Sequence, residues 1–310
     1  MKVLLTGSRG LVGSALGDAL RRDGVQLVAL RRPQAGARRP ARDDIASVAY
    51  EPTRGFVDEG ALAELGPYDA LVNLAGAGIG DARWTPARKN VLVESRTTTT
   101  RLVLQALRRV HLLPPVVVSA SAIGYYGDRG ADLVDEESEQ GQGFLAELCG
   151  AWEAEALAAR STCRVVLVRS GIVLSPSGGA LAKQLPLFRL GLGGRLGSGK
   201  QYTSWITLRD EVAVVRRALD DPALAGPVNA VAPNPVTNAD LSRAIGEALG
   251  RPAVLAVPRP ALDAVLGRQM TSEMLLASQR VVPRRLLRAG HGFADEDIAR
   301  ALHHLLRPGS

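Results

Sequence analysis

Val3-Leu4-Leu5-Thr6-Gly7-Ser8-Arg9-Gly10-Leu11-Val12-Gly13 decides the fold class. The apolar run at residues 3–5 reads as a short buried strand. Leu11, Leu16 and Leu20 then recur at helical spacing. Between strand and helix stand three glycines at 7, 10 and 13, a G-x-x-G-x-x-G pattern. Glycines at such a junction permit a tight turn, let an anion approach the backbone, and let the helix pack closely on the strand. Amide groups at the start of the helix then face the anion. A glycine triplet alone is weak evidence; between a strand and a helix it points to a dinucleotide site.

The same alternation continues downstream. Further strands are expected at residues 26–30, 47–50, 70–74, 115–119 and 164–168, with helices at 11–22, 86–109 and 143–160. Apolar strands separated by helices imply a parallel sheet covered on both faces. The expected fold is α/β: a Rossmann-type doubly wound parallel sheet over residues 1–170, followed by a smaller α+β lobe over 171–310. Some segments of that second part are free to return to the first. Past residue 170, glycine and proline become frequent, as in Ser175-Pro176-Ser177-Gly178-Gly179. A helix is expected at 237–249, opened by Thr237 and stopped by Gly250. Arginine-studded helix is expected from residue 272 to the end. Residues 34–43, rich in arginine and proline, read as an exposed loop.

Bulk composition narrows the function classes. The 310 residues are 46% hydrophobic and 22% charged, values that argue for a folded globular chain. The net charge of +7 is almost all arginine, since the lysines are only Lys2, Lys89, Lys183 and Lys200. Aromatic residues make up 4%, which leaves little to stack on bases, so no nucleic-acid partner is expected. Cys149 and Cys163 do not make a disulfide framework. The four histidines lack zinc-ligand spacing, so no metal is expected. No apolar run reaches the roughly 18 residues that span a bilayer, and no signal-peptide pattern opens the chain. The expected setting is cytoplasmic, with no membrane partner.

The second strand ends in Arg31-Arg32. An acidic residue there would accept a ribose 2′-hydroxyl, whereas arginine forks pair with a 2′-phosphate. The expected cofactor is therefore NADP(H). Its binding set is expected to include Thr6, Gly7, Arg9, Gly10, Leu11, Val12 and Gly13 of the loop, with Arg31 and Arg32. Leu74, Ala75 and Gly76 follow the fourth strand with small residues that let backbone lie under the cofactor. Arg83 and Ser119 are assigned beside them.

Taken with the glycine spacing, Asn73-Leu74-Ala75-Gly76 and Ser119-Ala120-Ser121-Ala122 resemble the extended short-chain dehydrogenase/reductases. Arg83-Trp84-Thr85, the SASAIGYYG segment at 119–127, FLAELCGAWE at 144–153 and the stretches at 178–204, 226–237 and 279–283 sharpen this. They resemble the atypical epimerase/dehydratase subfamily that carries a C-terminal domain of unknown function, the cell-division-inhibitor-like group. The resemblance covers nearly the whole chain. It implies a nicotinamide cofactor and a small-molecule substrate between two lobes. It also implies backbone contacts to the nicotinamide from Gly171, Ile172 and Val173, after the sixth strand.

Extended members of that superfamily use Ser or Thr with a Tyr-x-x-x-Lys pair, in which the lysine lowers the phenol pKa for proton exchange. The tyrosines here are at 50, 68, 125, 126 and 202. Four residues on stand Arg54, Val72, Arg129, Gly130 and Ile206. The helix matching the family carries Leu145 and Cys149 where the pair would be, so the usual acid/base pair is absent. What remains is Ser121 as the oxygen-holding hydroxyl, with Tyr125 or Tyr126 as proton donor. Glu153 and Trp152 read as packing or helix-surface residues, and Lys183 and Lys200 as candidates for an anionic substrate. The expected function is hydride transfer to or from a small carbonyl or hydroxyl substrate. The alternatives are a non-catalytic NADP(H) sensor and an epimerase or dehydratase that holds its cofactor tightly. A homodimer is compatible with either class.

Overall fold

The computed structural model describes residues 1–32 and 45–307; the loop expected at 34–43 lies outside the described residues. Eight strands, numbered here β1 to β8, form the main sheet among the described residues: β1 (Lys2–Thr6), β2 (Gln26–Arg31), β3 (Ala46–Glu51), β4 (Phe56–Val57), β5 (Ala70–Asn73), β6 (Val116–Ala122), β7 (Arg164–Ser170) and β8 (Gly226–Ala230). Their order is β8-β7-β6-β5-β1-β2-β3-β4. All neighbours run parallel except β3 and β4. The order reverses between β1 and β5, and the crevice beyond the carboxyl ends of those strands is where open α/β sheets take ligands.

Alternation along the strands sends residues to two cores. Val3, Leu5, Val72, Val118 and Val168 face one side, where helix α1 (Leu11–Arg22) packs. Leu4, Leu71, Val117 and Leu167 face the other. That side is covered by three helices: α2 (Glu59–Leu65), α4 (Thr97–Arg109) and α5 (Phe144–Leu157). Toward the carboxyl ends the strands turn polar. The register sets Thr6 beside Asn73 and Asn73 beside Ser119. It also sets Ser121 beside Arg169 and Arg169 beside Asn229.

One expected helix is two. Residues 86–109 form α3 (Pro86–Glu94) and α4, broken at Ser95–Arg96. The cause is local competition for carbonyls. Ser95 Oγ donates to the Leu92 carbonyl at 3.1 Å and accepts from the Ala77 amide at 3.0 Å, while Thr97 and Thr100 hydroxyls donate to Val93 and Arg96 carbonyls. These bonds tie the break to the loop that leaves β5.

The boundary expected at residue 170 is crossed twice. Helix α7 (Leu208–Asp220) packs on the α1 side of the main sheet, and β8 extends its edge. The rest of the second half builds its own core. Helices α6 (Gly179–Arg189) and α8 (Asn238–Leu249) enclose Trp205, Phe188 and Leu302 with the helix Ile298–Leu306. Thr237 caps α8 by accepting from the Asp240 amide, and Gly250 ends it at φ 63°. From residue 272 onward the chain is less helical than expected. The strand Arg280–Val281 pairs with Leu133–Val134 before the short helix Arg284–Arg288.

The lobe is fastened to the sheet through the first turn of α7. Asp210 accepts from the amides of Ala294 and Asp295 at 2.9 Å each. Its neighbour Glu211 is 2% exposed. One of its oxygens accepts from the Ser170 hydroxyl at 2.6 Å; the other has no partner among the described residues. Burial pushes this carboxyl up to about 7. A carboxyl whose pKa is raised by folding stabilises the fold while protonated, and that contribution is lost as pH rises from the unfolded value toward the folded one. Glu211→Gln removes the ionisable proton. It is expected to raise the melting temperature at pH 8, by an amount corresponding to about 2–3 kcal/mol, with little change at pH 4. Thermal melts of both forms at the two pH values check this, and an equal shift at both would refute it.

Candidate active site

The glycine loop is built by close contact. Gly7 has φ +69°, and a side chain there would lie 2.6 Å from the Leu74 carbonyl oxygen. A Cβ on Gly13 would lie 2.1 Å from the Gly7 carbonyl oxygen, so the third glycine lets α1 start against the turn. Gly10 is the N-cap residue and offers no side-chain cap, and the first turn of α1 carries no acidic residue. The amides of Leu11, Val12 and Gly13 therefore face outward with the positive end of the helix. Leu11 also meets the second lobe: a Cβ on Gly178 would sit 3.1 Å from its side chain.

At the outer end of the loop lies a cavity of about 190 Å³, lined by Ser8, Arg9, Ser14, Asp18, Arg21 and Arg31 among others. Two of the expected arginines, Arg9 and Arg31, thus converge on one space. Arg32 is separated from them and lies beside the buried Tyr50 phenol, whose pKa burial raises and Arg32 partly restrains. Consecutive residues leaving a strand point to opposite sides, which parts the pair.

Thr6 and Ser119, expected in the cofactor-binding set, turn their side chains into the protein. Both are 0% exposed. Thr6 Oγ1 donates to Asn73 Oδ1 at 2.7 Å and accepts from the Leu74 and Ala75 amides. Ser119 Oγ accepts from Asn73 Nδ2 at 3.3 Å. They hold the wall from behind. Leu74, Ala75 and Gly76 do form the small-residue edge next to Gly7, and Gly76 is exposed. Gly171, Ile172 and Val173 are half-buried at the exit of β7. Arg83 does not join this set: it is exposed and lies against Gly267 of the second lobe. Trp84 donates to the Ile79 carbonyl and meets the Phe144 ring edge-on, which pins the loop after β5.

Beyond β6 and β7 the buried polar row becomes a network. Ser121 Oγ donates to Glu153 Oε1 at 2.6 Å. Arg169 grips the same carboxylate with two nitrogens, at 2.8 and 2.7 Å. Both partners of this ion pair are nearly inaccessible, with side chains 4% and 6% exposed. Burial opposes the charge on Arg169, and the carboxylate overrides it, holding the guanidinium above its ordinary value. A third nitrogen of Arg169 donates to the Tyr126 hydroxyl at 3.0 Å, and that hydroxyl donates to Asn229 Oδ1 at 2.7 Å. Tyr126 is wholly buried and pushed up to about 12 by burial. Its phenol has both functions engaged inside the protein, by Asn229 and Arg169.

Tyr125 differs. It is half-buried, and its hydroxyl has no hydrogen-bond partner among the described residues. The Arg169 guanidinium lies 3.5 Å from its ring centroid, which fixes the ring over the ion pair. Glu153 and Arg169, the centre of this network, are not singled out by any sequence motif. Expected as a packing or helix-surface residue, Glu153 is instead buried and paired. The available signal was its place one turn beyond Cys149 on the apolar stripe of α5. Cys149 itself is buried, and burial pushes its thiol up to about 12, as for an unreactive thiol. Lys183 is paired with Asp81 at 2.7 Å, and Lys200 is exposed. Among the described residues no cluster of three metal-ligating side chains occurs, and no helix is long and apolar enough to cross a membrane.

Residues 3–231 match the model of the NAD dependent epimerase/dehydratase family, and residues 257–305 match a domain of unknown function, DUF1731. Epimerase family protein Mb2239 of Mycobacterium bovis is 43% identical over 309 residues, covering 99% of this chain and 98% of its own. Epimerase family protein SDR39U1 of Homo sapiens is 35% identical over 309 residues, covering 99% and 100%. A crystal structure of human SDR39U1 (isoform 2) with NADPH superposes with a TM-score of 0.87 at 33% identity, covering 99% of this chain and 100% of that one. Glycine cradle, sheet order and whole-length relatives agree: this chain belongs to the NAD dependent epimerase/dehydratase family.

Proposed function

We propose that this chain binds NADP(H) at the glycine loop and exchanges a hydride with a small carbonyl or hydroxyl substrate, with Tyr125 as the proton-exchanging group. The single observation that carries the chemistry is the unpartnered Tyr125 hydroxyl at the exit of β6, set against a Tyr126 whose hydroxyl is fully engaged. The cofactor reading is supported by the side-chain-free cradle at Gly7 and Gly13, by the convergence of Arg9 and Arg31 on one cavity, and by the NADPH in the human SDR39U1 structure.

In this reading the amides of Leu11, Val12 and Gly13 hold the diphosphate, and Arg9 and Arg31 take the 2′-phosphate. The bound cofactor supplies or accepts the hydride at C4 of its nicotinamide. Leu74, Ala75 and Gly76 give a bare backbone edge on one side, and Gly171, Ile172 and Val173 another. Ser121 gives its hydrogen to Glu153, so toward a substrate it offers lone pairs and accepts from a hydroxyl. Tyr125 supplies the proton that a carbonyl oxygen takes up on reduction, or receives one on oxidation. Arg169 positions that phenol through its ring face and is itself fixed by Glu153.

Two measurements test this. Calorimetric titration with NADPH and NADH should show Arg31→Ala and Arg9→Ala each weakening NADPH by roughly 10- to 100-fold, with NADH little affected, as expected for charge-assisted bonds. Arg32→Ala, beside Tyr50, should leave the preference intact; equal losses for both cofactors would refute the assignment. With a carbonyl panel, Tyr125→Phe should cut NADPH consumption by about 10²-fold or more. Tyr126→Phe should instead lower the melting temperature, because Asn229 loses a buried partner worth about 1–3 kcal/mol. Full turnover by Tyr125→Phe would sink the proton-exchange role. Tight NADPH binding with no consumption across the panel would favour the non-catalytic sensor.

A further inference from the structure

Arg96 stands at the break between α3 and α4 and is 9% exposed. Its guanidinium donates to the Leu92 carbonyl at 3.1 Å and the Ala77 carbonyl at 3.0 Å, and packs 5.2 Å from the Trp152 ring. Burial pulls it down to about 10. Among the described residues no carboxylate pairs with it: the neighbouring ionisable groups are the Cys149 thiol and a second cation, Arg88. A guanidinium carries five donor hydrogens, and buried charges are ordinarily matched by an opposite charge or a full set of acceptors. Two backbone carbonyls leave this one short.

Its position along the sheet says what could complete it. The 2′-phosphate cavity lies at the exit of β2, the glycine loop follows β1, and Gly76-Ala77 follow β5. Tyr125 and Gly171 come next, after β6 and β7. Neighbouring strands are about 4.8 Å apart. A dinucleotide with its 2′-phosphate over β2 and its diphosphate starting at the glycine loop must therefore carry the nicotinamide-side half of that diphosphate and its second ribose toward the end of β5. The loop there, Leu74-Ala75-Gly76-Ala77, has no polar side chain. Arg96 lies directly under it: a Cβ on Gly76 would sit 3.0 Å from the guanidinium carbon, so the bare glycine leaves that face uncovered. The guanidinium also neighbours Cys149, the helix position where related enzymes carry lysine.

We infer that Arg96 is a cofactor-binding residue that holds the ribose and phosphate of the nicotinamide half of NADP(H), supplying from α4 a cation that α5 lacks. This rests on the NADP(H) reading above. The test compares NADPH with adenosine 2′,5′-bisphosphate, which has the adenine-side phosphates but no nicotinamide half. In calorimetric titration, Arg96→Leu should weaken NADPH by roughly 10- to 100-fold and leave the bisphosphate within about twofold, with Arg96→Lys recovering part of the loss. Gly76→Ala, which covers the guanidinium without removing it, should lower NADPH affinity with the same selectivity; it serves as the probe if the leucine variant does not fold. Unchanged NADPH binding, or equal loss for both ligands, would overturn the role of Arg96. A wild-type protein that binds the bisphosphate but not NADPH would overturn it too. Failure of wild type to bind either ligand would instead overturn the cofactor reading beneath it.

Discussion

The Thr6 hydroxyl is the tie on which the site depends. It donates to Asn73 and accepts two amides from the loop after β5, so the exits of β1 and β5 are clamped where the strand order reverses. The clamp extends outward. Asn73 donates to Thr100 of α4 and to Ser119 of β6, and Trp152 of α5 donates to the same Thr100. Every member is buried, so each bond is made in a medium where leaving it unmade would cost about 1–3 kcal/mol. The glycine loop, the bare Leu74–Ala77 edge and the exit of β6 are thereby held in one frame by side chains that never reach the cleft.

That division between wall and lining explains what the sequence made legible. The glycine spacing needed only local geometry: Gly7 and Gly13 are close-approach positions, and the pattern states as much. Thr237 and Gly250 bounded α8 for the same reason, because caps are local chemistry. The inward polar groups were harder. Thr6, Ser119 and Tyr126 are residue types that ligands use, and only the burial of each side chain assigns it to the wall. Arg169 and Glu153 come from a strand end and a helix 16 residues apart in sequence, and nothing local marks them as a pair. The break at Ser95–Arg96 was likewise hidden. Its hydroxyls compete for helix carbonyls, yet hydroxyls also occur within unbroken helices. The return of α7 and β8 to the main sheet depends on which edge stays open, which no local pattern records.

Four buried charged groups line the rear of the candidate site, in three different arrangements. Glu153 and Arg169 neutralise one another and fix Ser121, Tyr125 and Tyr126 in a single array. Glu211 has one hydroxyl partner and is held near neutrality by burial. Arg96 has carbonyl partners and, among the described residues, no counter-charge. The first arrangement offsets its desolvation through mutual attraction and hydrogen bonds, and it sets geometry. The second is tolerated because protonation removes the charge. The third has no such escape, since a guanidinium does not readily release its proton.

A catalytic lysine on α5 would have brought its own long stem and charge to the cleft. In this chain that stripe of α5 carries Leu145, Cys149 and Glu153, and the cations come from other elements, Arg169 from β7 and Arg96 from the start of α4. Moving the charge off the helix changes what it can do. A lysine beside a phenol lowers its pKa directly, whereas Arg169 meets Tyr125 through the ring face and spends its nitrogens on Glu153 and Tyr126. The contact holds the phenol ring in place. In the proposed reading these charges therefore set geometry: the phenol is presented to the cleft by a ring resting on a closed ion pair.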